Sequence, residues 1–402
     1  MKILMICTLF PLEAGNEYLT NELAYALSDR GHEVQVVVID WNAPTGGKTV
    51  ETTLNGVRVL AFAPKGVNGF GWFVAKASKW ALSPLFATLE MRKRLSRRHF
   101  DSMILFSPLS SISALMLTAR WLFAPRSYLV QWDFFPFHQR AIGLMPNPVV
   151  FHFTRVLEQF LIRQTDTIGC MSPKNIDYFK GHYRLRREQQ VELLRIWGDT
   201  TTPAVHQPRD TTRARYGIPL ENPVAVFGGQ MVEGRGIDEL LAAATIAQDE
   251  SENIRFLLIG DGRLSGMVES HIANGGDNVV YLKRIPREDY LALASACDVG
   301  IVATVRGVGV PTFPSKIIDY LRAGIPVVAS IEDSTDYGEF IEQRKLGIAV
   351  AAGNPRGMLD AIKELVSSPE TMREMSNAGK ASLDEVFSVD RAATTIQQAL
   401  HN

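Results

Sequence analysis

Cysteine is scarce in this chain: three residues in 402, at Cys7, Cys170 and Cys297. They are far apart and lack metal-ligand spacing, which argues against a disulfide framework and for a reducing compartment. Long apolar runs are missing too. No stretch reaches the ~18 consecutive apolar residues of a transmembrane helix. The opening MKILMICTLFPLEAG carries one lysine and reads as a buried first strand rather than a signal peptide. The eight histidines (32, 99, 138, 152, 182, 205, 271, 401) are dispersed and no DxD follows a strand, so no metal constellation is expected. The acidic cluster EDSTD (332–336) reads as a solvated loop. Neither a GxGxxG fingerprint nor a P-loop GK[ST] is present. Net charge is small as well, −1 with 21% charged residues, which excludes a disordered polyelectrolyte.

What the chain does have is length and alternation. At 402 residues and 46% hydrophobic it can bury two ordinary cores. Charge divides between the halves: residues 1–200 hold 23 Lys+Arg against 16 Asp+Glu, or +7, and the remainder carries −8. Different partners for the two halves follow. Strand-length apolar runs at 2–10, 33–40, 101–107, 127–133 and 166–172 alternate with helical text at 17–32 and near 151–164. The grammar restarts with strands at 222–230, 253–262, 278–283, 299–304 and 325–330, and helices at 236–250, 357–370 and through the last 30 residues. This alternation predicts an α/β protein of two doubly wound, Rossmann-like units. The polar, turn-rich WGDTTTPAVHQPRDTT places the boundary near 198–215. The domains are therefore read as 1–200, 201–385 and a C-terminal helix, 386–402, that returns to the first domain.

In open α/β sheets ligands sit beyond the carboxyl ends of the strands, so the loops after strands carry the chemistry. FGGQMVEGRG (227–236) puts Gly228, Gly229 and Gln230 at a strand end and Arg235 before a helix, a layout that lets backbone and cation approach an anion. The alternative is a plain turn with a solvated arginine. In PTFPSKIIDYLRAGIPVVAS (311–330), Pro314 and Ser315 open a helix in which Lys316 offers a cation and Asp319 a carboxylate one turn on. Ser315 is placed to cap or donate. Phosphate beside Lys316 and a diol beside Asp319 is the arrangement a nucleoside diphosphate needs; an ordinary capped helix is the other reading.

Taken in order, G-G-x(5)-R-G, strand-G-D-G, N-V-x-Y-L, A-x-D-V-x-I and PSKIIDYLRAGIPVVAS resemble the GT-B glycosyltransferases, strongly over about 215–355. The nearest group is family 4, the retaining nucleotide-sugar transferases of surface polysaccharide assembly. The PSK turn is similar to the branch holding N-acetyl-fucosaminyl transferases of capsule and O-antigen pathways. The resemblance implies a GT-B fold with a cleft between its two domains, the first taking the acceptor and the second the nucleotide sugar. It puts Asp319 at the ribose-binding carboxylate of an E-x7-E motif whose first glutamate falls here on Pro311. The family's arginine–lysine pair maps onto Gln230 and Arg235, so Lys316 or Arg306 is expected to supply the missing charge. Backbone near Arg284 and Ile285 would read the base. A UDP-sugar is the implied donor, with no cofactor and no metal: the helix dipole, Arg235 and Lys316 would stabilise the leaving diphosphate.

In the first half, PLEAGNEYLTNEL resembles the acceptor-side glycine loop, with Gly15 and Asn16 at the matching positions. QWDFFPFH puts Asp133 at the family's active-site aspartate and Trp132 where a histidine is usual; His138 reads as structural. Residues 72–98 interleave Trp72, Phe73, Trp80, Leu85 and Phe86 with Lys76, Lys79 and Arg92 to Arg98, as a segment lying on an anionic leaflet would. Core helices with a basic outer face would look alike. No nucleic-acid module accompanies the patch, and no nucleic-acid partner is expected. With the resemblance, it implies a peripheral protein on the cytoplasmic face of the plasma membrane and a lipid-linked or saccharide acceptor. Three readings stay open here: a retaining, metal-independent glycosyltransferase, a non-catalytic nucleotide-sugar-binding subunit, and a GT-B epimerase.

Overall fold

The computed structural model describes all residues but 14, 68–70, 124, 199, 201–206 and 402, and no side chains for 71–77, 80 and 81. The chain divides into two units, Met1–Arg195 with Val389–Asn402, and Ile196–Ser388.

The first unit is built on an eight-stranded sheet: β1 (Lys2–Cys7), β2 (Glu33–Ile39), β3 (Val50–Leu54), β4 (Val57–Phe62), β5 (Ser102–Phe106), β6 (Arg126–Gln131), β7 (Thr167–Cys170) and β8 (Gln190–Leu193). Their order is β3-β4-β2-β1-β5-β6-β7-β8. All neighbours pair in parallel except β3 with β4, which form an antiparallel hairpin at the edge. Its turn is Asn55-Gly56, both at positive φ (45° and 78°), the dipeptide that two-residue hairpins favour. Continuous apolar text in β1, β5 and β6 fits strands covered on both faces, and their residues are almost all buried. The terminal helix Val389–His401 packs in this unit through Val389, Ala392, Ala393, Ile396 and Leu400. Arg30 ties it down, donating to Thr394 Oγ1 at 2.9 Å and to the Asp390 carboxylate at 3.1 Å.

The second unit has six parallel strands: β9 (Val224–Gly228), β10 (Arg255–Ile259), β11 (Val279–Leu282), β12 (Val299–Ala303), β13 (Val327–Ile331) and β14 (Gly347–Ala351). Their order is β11-β10-β9-β12-β13-β14. The chain winds outward from β9, then returns across it to add β12, so the topological switch point lies between β9 and β12. A fully buried arginine secures the entrance to this unit. Arg213 donates to the carbonyls of Ala296, Pro219, Leu220 and Asn222 and to Asp298 Oδ2, all between 2.8 and 3.1 Å. Asp298 also accepts from the Val224 amide at 2.8 Å, which fixes the start of β9. Every charged hydrogen-bonding group of that pair is thereby answered, as burial of an ion pair requires.

Candidate functional site

Four loops meet around the carboxyl ends of β9, β10 and β12. Gly229 follows β9; its amide donates to the Ile259 carbonyl at 2.8 Å. A Cβ at Gly229 would stand 2.8 Å from Lys316 Cε, so the lysine chain lies directly across this backbone. Gly260, at φ +143°, packs so tightly that a Cβ there would enter the Gly229 carbonyl. The two glycine-bearing loops can adjoin only because neither has a side chain.

The helix Lys316–Ala323 is seated on the switch point by Tyr320, whose hydroxyl accepts from the Gly228 amide (3.2 Å) and donates to the Ile301 carbonyl (3.0 Å). That fixes Lys316 and Asp319 in its first turn. Pro314 is buried and Ser315 occupies the N-cap, but with helical torsions (φ −71°, ψ −12°) and no side-chain cap bond. Capping by Ser315 is therefore corrected: the residue has already turned into the helix, which points its hydroxyl away from the free amides.

Asp319 is 8% exposed and is held by Arg287, 2.8 Å from Nη2 to Oδ1. Burial pushes its carboxyl up, but the Arg287 and Lys316 cations outweigh this and hold it below the usual range. Lys316 is half-buried and lowered, first by burial and then by Arg235 and Arg287, with Asp319 opposing. Arg287, Lys316 and Arg322 thus act on one carboxylate, and Arg235 adds its charge at Lys316. Arg235 is exposed beside Gly236, the left-handed N-cap (φ 57°) of helix Ile237–Asp249. Neither Arg235 nor Lys316 has a hydrogen-bond partner among the described residues. A site with this excess of positive charge and free donors is suited to an anion of more than one charge.

Arg284 is exposed and its backbone amide donates to Asp261 at 3.2 Å; Ile285 is half-buried beside it. Gln230 is exposed next to Gly229, and Arg306 is exposed after β12. Arg287, one residue past Pro286, was not singled out in the sequence. Its signal was weak: a helix-opening arginine 32 residues from its carboxylate partner.

The reading of residues 332–336 as a solvated loop is corrected at Glu332 and Thr335. Glu332 is 3% exposed, and its Oε1 accepts from the Thr312 amide (2.9 Å) and hydroxyl (2.7 Å). Thr335 is also buried, with its hydroxyl donating to the Thr312 carbonyl. These two side chains clamp the turn that leads to Lys316, whereas Asp333 is exposed and Asp336 half-buried.

In the first unit, Asp133 is exposed past β6, its amide bonded to Ser107 Oγ at 3.1 Å. Trp132 meets Tyr18 edge-on at 6.1 Å, which brings the Gly15–Asn16 loop to the same end of the sheet. Gly15 has φ +82°, and Asn16 Nδ2 donates to Glu13 at 3.1 Å. His138 lies in the short helix Phe137–Ala141. Asp133, Gly15 and Asn16 thus share one unit, and Gly229, Gln230, Arg235, Arg284, Ile285, Pro314, Ser315, Lys316 and Asp319 the other. Among the described residues, no three His, Cys, Asp or Glu side chains gather as a metal-holding group.

Residues 208–382, most of the second unit, match the family described as Glycosyl transferases group 1. Sucrose-phosphate synthase from Thermosynechococcus elongatus is similar over 99% of this chain and 97% of its own, with TM-score 0.75 and 18% identity. The Anabaena protein HepE in complex with UDP-glucose is similar over 100% of this chain and 99% of its own, with TM-score 0.71 and 14% identity. The fold is therefore GT-B, two α/β units each built on a largely parallel sheet. In sequence, the GDP-mannose-dependent monoacylated alpha-(1-6)-phosphatidylinositol monomannoside mannosyltransferase of Corynebacterium glutamicum is 25% identical over 191 residues, 46% of this chain and 49% of that protein. The chain spans about half the length, or less, of the curated relatives it matches.

Proposed function

We propose that this protein is a retaining, metal-independent glycosyltransferase that moves a hexosyl or acetamidohexosyl group from a nucleotide sugar to a lipid-linked saccharide in surface polysaccharide biosynthesis. A UDP-sugar is the proposed donor, and the likeness of the PSK turn to that of N-acetyl-fucosaminyl-type transferases supports an acetamidohexosyl group. One observation carries the reading: Arg287 and Lys316 face Asp319 at the switch point, Arg235 adds its charge at Lys316, and neither Lys316 nor Arg235 has a hydrogen-bond partner among the described residues.

In this account Asp319, oriented by Arg287, accepts the ribose hydroxyls, and backbone at Arg284 and Ile285 meets the base. Gly229 allows the diphosphate close to the chain, with Gln230 at its edge and the Pro314–Ser315 turn beside it. Lys316 and Arg235 stabilise the charge that grows on the diphosphate as the sugar leaves. That role needs no metal ion. The leaving phosphate takes the acceptor proton on the same face, which preserves anomeric configuration. Asp133 and the Gly15–Asn16 loop serve the acceptor side. The exposed Leu85, Phe86 and Leu89, followed by Arg92, Lys93 and Arg94, support a cytoplasmic leaflet as the place of work. Trp72, Phe73, Lys76 and Trp80 of that segment lie outside the described side chains. Among the described residues no helix is long and apolar enough to cross a membrane.

A second reading, a non-catalytic nucleotide-sugar-binding subunit, is favoured by Pro311 and Gln230 standing where related proteins carry charged groups. Turnover separates the two. Release of nucleoside diphosphate from one sugar donor in EDTA, dependent on lipid extract and lost in Lys316→Ala, supports the transferase. Donor binding without release under any acceptor supports the subunit, and transfer-free isomerisation an epimerase.

A further inference from the structure

Helix Pro148–Ile162 turns its apolar side outward. Its inward orientation is set by Glu158, fully buried, whose two oxygens accept the amides of Leu109 and Ser110 at 2.8 Å each. Leu161 and Ile162 are buried beside it, and Phe151 packs edge-on against Phe137 at 5.6 Å. Residues a half-turn away must therefore face solvent. They are Val149 (74% exposed), Phe153 (68%), Val156 (51%) and Phe160 (50%). The spacing 149, 153, 156, 160 is one continuous helical stripe. The preceding loop extends it with Leu144, 46% exposed.

Charge beside the stripe has one sign. Between Asp133 and Asp166 the only carboxylate is the buried Glu158. Arg140, Arg155 and Arg163 are all exposed in that interval. Arg184 joins them in space, because Gln159 bonds both its amide (2.8 Å) and its carbonyl (2.9 Å). An apolar stripe in a segment whose own exposed charges, between Asp133 and Asp166, are all arginines complements an anionic bilayer: rings enter the acyl boundary and guanidinium groups meet the phosphates. A soluble protein partner would leave the uniform charge unexplained.

We infer that this helix is a membrane-inserting face, with Val149, Phe153, Val156 and Phe160 entering the leaflet and Arg140, Arg155, Arg163 and Arg184 holding anionic headgroups. This rests on the peripheral-membrane part of the function proposed above and adds a second helix to the contact proposed for residues 72–98. The test is sedimentation of the full chain with phosphatidylglycerol–phosphatidylcholine vesicles and with pure phosphatidylcholine vesicles. Phe153→Ser with Phe160→Ser should weaken binding to the anionic vesicles by about a hundredfold, roughly tenfold per ring. Arg155→Gln with Arg163→Gln should weaken it less and reduce its salt dependence. Nucleotide-sugar binding by each variant should match wild type, which also confirms folding. Wild-type binding left intact by the phenylalanine pair would overturn the inference while leaving the membrane reading standing. No vesicle binding by wild type would overturn both. A change of oligomeric state in the phenylalanine pair, with vesicle binding unchanged, would assign the stripe to a second copy and overturn it as well.

Discussion

Arg287→Ala tests the positioning of Asp319 and has a magnitude the structure supplies. The pair is 2.8 Å apart, with side-chain exposures of 32% for arginine and 11% for aspartate. Breaking a buried pair by removing one partner costs about 3–5 kcal/mol. The partial exposure of Arg287 and the nearby Lys316 reduce that to about 2–3 kcal/mol at neutral pH. The pH dependence is the sharper signature. In wild type the folded Asp319 has a depressed pKa, so its contribution is present above its ordinary value of 3.8 and is lost as pH falls. In the variant burial acts with less opposition, and the carboxyl takes up a proton more readily. The stability gap between the two proteins should therefore be widest near neutrality, narrow as pH falls, and close only below 3.8, where the wild-type carboxyl is protonated. Calorimetric unfolding across that range reads it directly. A gap of the same size at both ends would refute the claim that Arg287 acts through the Asp319 charge.

Gly229→Ala should leave unfolding nearly unchanged, because the flexible end of Lys316 can yield, yet lower nucleotide-sugar affinity by displacing that ammonium; a thermal melt and titration calorimetry report the two arms. Gly260→Ala should instead lower the yield of folded protein, since its Cβ meets fixed backbone at a positive φ. Glu158 titrates in the opposite sense to Asp319. Burial raises its carboxyl from 4.5 to about 7. The unit of residues 1–195 and 389–402 should therefore lose up to about 3 kcal/mol as pH rises from 4.5 to about 7, and Glu158→Gln should flatten that slope. Arg213→Ala should destabilise by about 3–5 kcal/mol, because Asp298 and four carbonyls lose their donor.

Much of the architecture was legible because parallel strands buried on both faces write themselves as apolar runs. Ile3–Ile6, Met103–Phe106 and Val224–Phe227 all stand where the pattern put them. The strands that escaped are three edge strands and Val57–Phe62, the inner partner of one of them. Val50–Leu54 reads VETTL, half polar, although the Asn55-Gly56 turn beside it was an available hairpin signal. Gln190–Leu193 and Gly347–Ala351 are short, and one of the two is half polar. At the candidate site, Lys316, Asp319 and Gly229 were legible because helix-start and strand-end chemistry is local. Arg287 and Glu332 were not, since each acts through a partner 20 or more residues away in sequence. The outward face of Pro148–Ile162 was equally hidden: an apolar helix reads as core until the contact at Glu158 shows which side is in.

The most direct test of the account is nucleoside diphosphate release from UDP-, GDP- and TDP-sugars in EDTA, with and without membrane lipid extract, for wild type, Lys316→Ala, Arg235→Ala and Asp319→Ala. Lipid-dependent release from one donor, reduced on the order of a hundredfold or more by Lys316→Ala or Arg235→Ala, is the expected result. The Asp319→Ala protein should lose donor affinity. No binding of any nucleotide sugar by the wild-type protein would contradict the reading of the cation cluster, and with it the central claim.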